Sequence, residues 1–142
     1  MENETDDFVE IRGAYDSVLR IGSPSGTREY RRIPFELALH DLTARGVIES
    51  TDWGGAAPRL VSFLEEMARD WRGWPGERTW RDDGPQVRLT ATHDGKRIIA
   101  LEVETSTTIG VEGPGTWTLR VVLALEPGSL DDLARSVARL LA

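Results

Sequence analysis

The ten residues from Trp71 to Trp80, WRGWPGERTW, carry the side chains with the greatest capacity for binding in this chain. Three of the five tryptophans lie in this segment, next to several charged groups. Tryptophan and arginine dominate the energetics of protein interfaces, and an aromatic ring beside charged groups can also line a ligand pocket. The candidate residues for binding a ligand or a partner are Arg72, Trp74, Glu77 and Arg78.

The alternative is that the same segment is only a structural corner. Trp71 continues the apolar stripe of a preceding helix, and it is expected to be buried, as is Trp80. Gly73 and Gly76 can adopt the positive φ angles that end a helix and form a turn. Trp74 lies off the helical stripe, so the sequence leaves open whether it is a recognition residue or a lid over the core.

Residues suited to catalysis or metal binding are scarce. The chain has no cysteine, which excludes thiolate nucleophiles, thiolate metal sites and disulfides. Its two histidines each precede an aspartate, in His40-Asp41 and His93-Asp94, and such pairs bind a divalent metal only where further ligands converge. The first pair is expected on the polar face of a strand and the second in a hairpin turn. We therefore predict no metal site, no cofactor and no catalytic residue.

The balance of charge is acidic, with 24 acidic and 17 basic residues and a formal net charge of -7. Nucleic acid is a poor partner for such a domain, because phosphate contacts need a concentrated basic surface. Acidic surfaces instead attract basic proteins and speed their association. The paired carboxylates Glu102 and Glu104 share one face of a predicted strand, which is typical of a solvent-facing row rather than of a catalytic pair. A basic protein is the partner that the charge favours.

The length of 142 residues, 39% of them hydrophobic, is that of one domain with a substantial core. No apolar run reaches the roughly 20 residues of a membrane span. The first residues, MENETDD, lack the basic and apolar regions of a secretory signal. We expect a single domain over residues 1–142, with residues 1–7 flexible, that is cytoplasmic and does not bind membranes. The sequence leaves its oligomeric state open.

Hydrophobic periodicity predicts two helices. Apolar residues at spacings of three and four predict one helix over residues 58–71, with Pro58 in its first turn. A similar stripe predicts a second helix over residues 130–141. Ser129 and Asp132 have the spacing of a capping box at its start.

Alternation of apolar and polar residues predicts about six to eight strands, linked by turns too short for parallel crossovers. Pro34 lacks an amide donor, so its strand is expected to lie at an edge or to bend there. Residues 116–125 form a strand that is apolar on both faces in its second half, which favours a central position or a covering helix. The predicted architecture is an α+β single domain, a largely antiparallel and curved sheet with two helices packed on it.

The segment WRGWPGERTW resembles the mark WRGWxGERxW of an actinobacterial family of small domains of unknown function. The likeness extends to the helix LVSFLEEMARDW, the strands QVRLTATHDG and TWTLRVVLALEPG, and the final LDDLARSVARLL, which is about the last two-thirds of the chain. The family typically has a glycine–histidine step after the HDG turn, whereas KRIIALEV follows here. The resemblance implies no activity, cofactor or catalytic residue.

Three functional hypotheses follow. The first is a non-catalytic protein-binding module, similar in build to immunity and accessory proteins of bacterial toxin systems. The alternative is a small-ligand-binding protein or enzyme with a site near the Trp71–Trp80 corner. Self-association through an exposed sheet edge or through Trp74 is the third. The scarcity of catalytic groups favours binding over catalysis.

Overall fold

The computed structural model describes residues 7–106, 113 and 115–142, so the prediction of a flexible start falls almost wholly outside the described residues. Two helices and nine strands occupy the described ranges. In chain order they are β1 (Phe8–Arg12), β2 (Val18–Gly22), β3 (Ser25–Gly26), β4 (Tyr30–Ala38), β5 (Thr43–Thr51), α1 (Ala56–Arg69), β6 (Trp74–Arg81), β7 (Val87–His93), β8 (Ile99–Ser106), β9 (Thr118–Leu125) and α2 (Leu130–Leu140).

The strands form two antiparallel sheets. In the first sheet the order is β1, β2, β4 and β5, with the short β3 paired to β4 on the same side as β2. In the second sheet β6, β7, β8 and β9 follow one another as a meander. The predicted α+β class with antiparallel strands is confirmed. The division into two sheets was not predicted, and it arises because α1 separates β5 from β6 along the chain.

Both helices and both sheets contribute to one core. The helix α1 buries the apolar stripe that its spacing predicts, including Leu60, Leu64 and Met67. It packs against α2, which in turn packs against β1. Among the described residues no helix has both the length and the apolar character needed to cross a membrane.

The strand β4 is central, so the prediction that Pro34 lies at an edge is wrong. Pro34 faces Val47 of β5, whose amide donates to the Gln86 side chain at 3.3 Å instead of to β4. On its other side, Pro34 falls between the residues of β4 that pair with β2 and those that pair with β3. Neither neighbour needs an amide at this position, so a proline is tolerated inside the sheet.

Two further predictions are wrong. β9 lies at the edge of the second sheet, and Val122 on its outer face is 60% exposed rather than covered. The capping box at α2 does not form, because the Ser129 hydroxyl donates to the Glu126 carbonyl at 2.8 Å within a 3-10 turn, while Asp132 pairs with Arg135. That turn leads directly into α2 and replaces the predicted cap.

The outer edge of β5 is joined to the second sheet by side chains. Alternate amides of β5 point away from β4 and donate to acceptors in the connection between β6 and β7. The pairs are Val47 to Gln86 Oε1, Glu49 to Asp82 Oδ2 and Thr51 to Asp83 Oδ2, at 3.3, 3.1 and 2.8 Å. We call this contact of Asp82, Asp83 and Gln86 with β5 the seam. It satisfies edge groups that would otherwise be open.

The Asp83 side chain also caps the start of α1. Gly55 precedes the helix and has no side chain to cap it, and Asp83 Oδ2 accepts the Ala56 amide at 3.0 Å instead. Asp83 Oδ1 accepts from Arg59 Nη2 at 2.9 Å. Burial raises the pKa of Asp83, but the amides of Thr51 and Ala56 and the Arg59 charge outweigh it, so the net pKa lies below its ordinary value.

The pKa of Asp82 is shifted in the opposite direction, above its ordinary value. It is almost fully buried, and burial raises its pKa more than hydrogen bonds from the amides of Glu49, Val87 and Gln86 lower it. The nearby charge of Glu49 adds to the increase. The pKa values of the two adjacent aspartates of the seam are therefore shifted in opposite directions.

Candidate functional site

The corner between α1 and β6 does not bring the four predicted binding residues together. Trp74, the first residue of β6, is 7% exposed and belongs to the core. The Arg78 guanidinium lies over the Trp74 ring, 4.5 Å from its centroid, and donates to Asp70 Oδ2 at 2.7 Å. Glu77 is exposed and makes no ion pair with the described residues. Arg72 lies on a different surface.

The roles expected for the tryptophans are partly reversed. Trp71 is 49% exposed, so the prediction that it continues the buried stripe is wrong. The reason is that α1 ends at Arg69 and Asp70 leaves the helical conformation, with φ -100° and ψ 39°. The prediction for Trp80 is confirmed: it is 3% exposed, and its indole N–H donates to the Ala56 carbonyl at 2.9 Å.

A β-bulge directs Trp74 inward. Trp74 pairs with His93 and Arg78 with Ala91, so three residues of β6, Pro75 to Glu77, stand opposite one residue of β7. Gly76, in the middle of the bulge, has φ +70°. The extra residues bend the strand, which separates the buried ring of Trp74 from the exposed carboxylate of Glu77.

His93 joins the corner to the turn between β7 and β8. Its Nε2 lies 2.6 Å from the Trp71 carbonyl, and its Nδ1 lies 3.3 Å from the Gly95 amide nitrogen. A carbonyl only accepts and an amide only donates, so both contacts are satisfied by the neutral ring with its hydrogen on Nε2. The Trp74 indole meets this ring edge-on, with centroids 5.3 Å apart.

Two glycines bring the same segments into close contact. Gly73 has φ +132°, and a Cβ at this position would lie 3.0 Å from the Cα and the nitrogen of Gly95. Gly95 itself has φ +88°. We call His93, Gly73 and Gly95 the clamp. It holds WRGW and HDG together, two motifs that the sequence analysis considered separately.

The clamp places the end of α1 beside the β7–β8 turn, where an open groove of about 1170 Å³ forms. Trp71 and Arg72 line one part of it, and the turn contributes three neighbouring side chains, Lys96, Arg97 and Ile98. The end of β1 with the turn after it, Ala124 and residues 126–129 complete the lining. We call this surface the basic groove.

Positive charge in the basic groove is largely unneutralised. Arg12, at its margin, pairs with Glu10 at 2.7 Å. Arg72, Lys96 and Arg97 form no ion pair within the described part of the chain, and Glu126 is the one carboxylate among the described lining residues. The Arg72 guanidinium carbon lies 4.5 Å from the centroid of the Trp71 ring.

Apolar surface accompanies these charges. Trp71 and Ile98 are 49% and 51% exposed. Of the residues predicted for binding, Arg72 alone lines the groove. For the other lining residues, the sequence signal was the basic pair Lys96-Arg97 directly after the HDG turn. Trp71 lies 25 residues before Lys96, and no local pattern shows that the turn contacts it.

The other candidate sites considered from the sequence are metal-binding groups and the paired carboxylates Glu102 and Glu104. Within the described ranges, no group of three or more His, Asp or Glu residues could hold a metal ion. Glu102 and Glu104 form ion pairs with neighbouring arginines on the outer sheet face. Burial raises the pKa of Glu104, but a hydrogen bond from Arg88 and the charges of Arg88 and Arg120 give a net pKa below the ordinary value. Such a carboxylate remains ionised and is a poor proton donor.

Comparison with models of protein families gives a match over most of the chain. The sequence matches a family of unknown function, DUF6228, over residues 14–142. The chain belongs to this family. The DUF6228 match begins just after β1, so it includes the clamp and all of the basic groove except Arg12 and Gly13. This confirms the expectation of a family of unknown function. No curated protein and no solved structure matches this DUF6228 chain.

Proposed function

We propose that this chain is a non-catalytic protein-binding module and that the basic groove is its binding surface. The observation that carries the proposal is that two half-exposed apolar side chains, Trp71 and Ile98, line the same groove as three cations that form no ion pair with the described residues. Tryptophan and arginine are the residue types most enriched at the energetic centres of interfaces. Their concentration at one concave surface supports recognition of another protein.

The chemistry of the lining supports binding rather than catalysis. Guanidinium groups stay protonated at neutral pH and therefore cannot act as general bases. The nearest imidazole, that of His93, is 2% exposed and has both nitrogens bonded to backbone groups. A general base needs a free nitrogen within reach of the proton that it abstracts.

The clamp supports binding by fixing the surface before a partner arrives. Trp71 and the β7–β8 turn are tied by the His93 bridge and by the Gly73–Gly95 contact. Stacking on Trp71 also restricts Arg72. Side chains that are already ordered lose less conformational entropy on association, which leaves more of the contact energy for affinity.

A photo-crosslinking amino acid at Ile98 tests the proposal directly. The matched control carries the same amino acid at Val122, which is also exposed but lies on the outer face of the second sheet. A protein crosslinked from Ile98 and not from Val122, in cells of the source organism, is identified and purified. It should bind the wild-type chain with a fixed stoichiometry, and Trp71→Ala should weaken that binding at least about tenfold.

Two results would contradict the proposal. Equal crosslinking from Val122 would place the interface elsewhere, and binding unaffected by Trp71→Ala would remove the groove from it. A small molecule that raises the melting temperature of the wild type and not of Trp71→Ala would instead support the small-ligand alternative.

A further inference from the structure

We infer that the partner presents to the basic groove an acidic segment that carries a bulky apolar residue. This inference rests on the proposed function, and it names the chemistry of the partner. The groove supplies three cations that form no ion pair within the described ranges, together with the half-exposed side chains of Trp71 and Ile98. A segment with carboxylates on both sides of an apolar side chain complements that arrangement.

The local charge of the groove is opposite to the net charge of the chain. The formal net charge of -7 favours a basic partner at long range. At physiological salt, however, exposed charges more than about 8 Å apart are largely screened, so the groove is governed by its own lining. Lys96 and Arg97 lie on the same turn, and the only carboxylate among the described lining residues is Glu126.

Arg72 is positioned to receive a carboxylate. Its guanidinium carbon lies 4.5 Å from the centroid of the Trp71 ring, and this cation–π contact restrains the group without using its N–H donors. No carboxylate of the described chain occupies those donors. A guanidinium in a cation–π contact still offers two parallel N–H groups for a bidentate bond to a carboxylate.

The apolar part of the segment would cover Trp71 and Ile98. A wholly acidic segment would leave about half of each side chain in water. Burying the apolar surface supplies the main non-directional part of the binding free energy, whereas the ion pairs fix orientation and discriminate between partners. The inferred segment therefore needs both kinds of residue.

Nucleic acid fits these observations less well, although it is also anionic. Its binding depends on many phosphate contacts spread along a continuous basic surface. Here the described lining of the groove has four basic residues, in a chain with 24 acidic residues. Protein is therefore the occupant that the charges favour, and an oligonucleotide serves as a comparison in the test.

A random-peptide display library selected on the full chain tests the inference. The same library is counter-selected on the charge-reversed variant R72E/R97E, with R81E as the matched control, because Arg81 is exposed and lies outside the groove. Unchanged melting temperatures would show that the variants are folded. We expect enriched peptides to contain aspartate or glutamate next to an aromatic or aliphatic residue. Their affinity should fall at least about tenfold in R72E/R97E and remain unchanged in R81E.

Several outcomes would overturn the inference, and they separate it from the proposed function. Enrichment of basic or uncharged peptides that need Trp71 would refute the acidic segment and leave the groove as a protein-binding surface. Absence of any peptide whose retention depends on the groove would count against both. A short oligothymidine that binds the wild type and not R72E/R97E, more tightly than the enriched peptides, would assign the groove to nucleic acid.

Discussion

Asp83 stabilises two elements with one carboxylate, and Asp83→Ala is expected to lower the free energy of unfolding by about 3–5 kcal/mol. Its Oδ2 accepts the Thr51 and Ala56 amides at 2.8 and 3.0 Å, and Oδ1 accepts from Arg59. A hydrogen bond to a charged group contributes roughly 1.5–3 kcal/mol, and losing a helix cap costs about 1. The bonds share one side chain, so their contributions are not additive.

The variant Asp83→Asn distinguishes the contribution of the helix cap to stability from that of the ion pair with Arg59. An asparagine can keep its carbonyl oxygen where Oδ2 now accepts the two amides, while its amide group faces Arg59. It should therefore keep the cap but lose the ion pair and the hydrogen bond from Arg59, because its amide group and the guanidinium are both donors. The Arg59 side chain is 46% exposed, so that pair is worth at most about 1 kcal/mol after solvent screening. Arg59→Gln removes the same pair together with the hydrogen bonds from Arg59 to the Gly54 and Arg81 carbonyls, so it should destabilise slightly more than Asp83→Asn.

Urea unfolding followed by tryptophan fluorescence measures these differences, because the buried Trp80 reports on the packing of β6 against α1. The midpoint should fall steeply for Asp83→Ala and slightly for the other two variants, with little change in slope. If Asp83→Asn were as destabilising as Asp83→Ala, the charge would matter more than the cap. A loss below about 1 kcal/mol in Asp83→Ala would refute the reasoning altogether.

The stability difference between wild type and Asp83→Asn should also depend on pH. The folded pKa of Asp83 lies below its ordinary value, so the folded chain binds fewer protons at this group than the unfolded chain does. Its contribution is present above the unfolded pKa of about 3.9 and is lost as pH falls through the lower folded pKa. Asp82 has a raised pKa, so its contribution to stability has the opposite pH dependence, but Asp82 is present in both proteins. A difference that grew towards acid pH would contradict this assignment.

Three further predictions concern the corner and the clamp. Gly73→Ala should lower the free energy of unfolding by about 2–4 kcal/mol, because its Cβ would lie 3.0 Å from Gly95, whereas the Cβ of Gly76→Ala meets open space and should lower it by only about 1–2 kcal/mol. Equal urea midpoints for the two variants would contradict the packing argument. Trp80→Phe should lower the free energy of unfolding by about 2–3 kcal/mol, since a buried carbonyl loses its donor, and a change near zero would show that water replaces it. Nitrogen-15 NMR should find the hydrogen of the neutral His93 ring on Nε2, and the Nδ1 tautomer would break the proposed bridge.

The sequence predicts local elements better than their ends. Both helices have the spacing of their apolar stripes, and their observed bounds lie within two residues of the predicted ones. That small error decides the position of Trp71, because a helix that stops at Arg69 no longer directs the next residues inward. Trp74 then enters the core through a bulge whose residues, Pro75 to Glu77, give no alternating pattern.

The features that the sequence does not predict depend on pairing between distant segments of the chain. The apolar second half of β9 is typical of a central strand, yet Val122 lies exposed at a sheet edge, since the choice of neighbours depends on the whole topology. Asp82 and Asp83 are typical turn residues by composition, and only the folded chain shows that they bind the edge of β5. The groove was missed for the same reason, because it joins segments that a local pattern does not connect.

The seam also bears on aggregation. An edge strand with open amides is a template for adding a strand from another molecule. In β5 three such amides are occupied by the side chains of Asp82, Asp83 and Gln86, so β5 is closed to this kind of pairing while the seam is intact. Loosening the seam would expose that row of donors before the core unfolds. Variants at Asp83 are therefore expected to lose solubility at temperatures where their secondary structure is still complete.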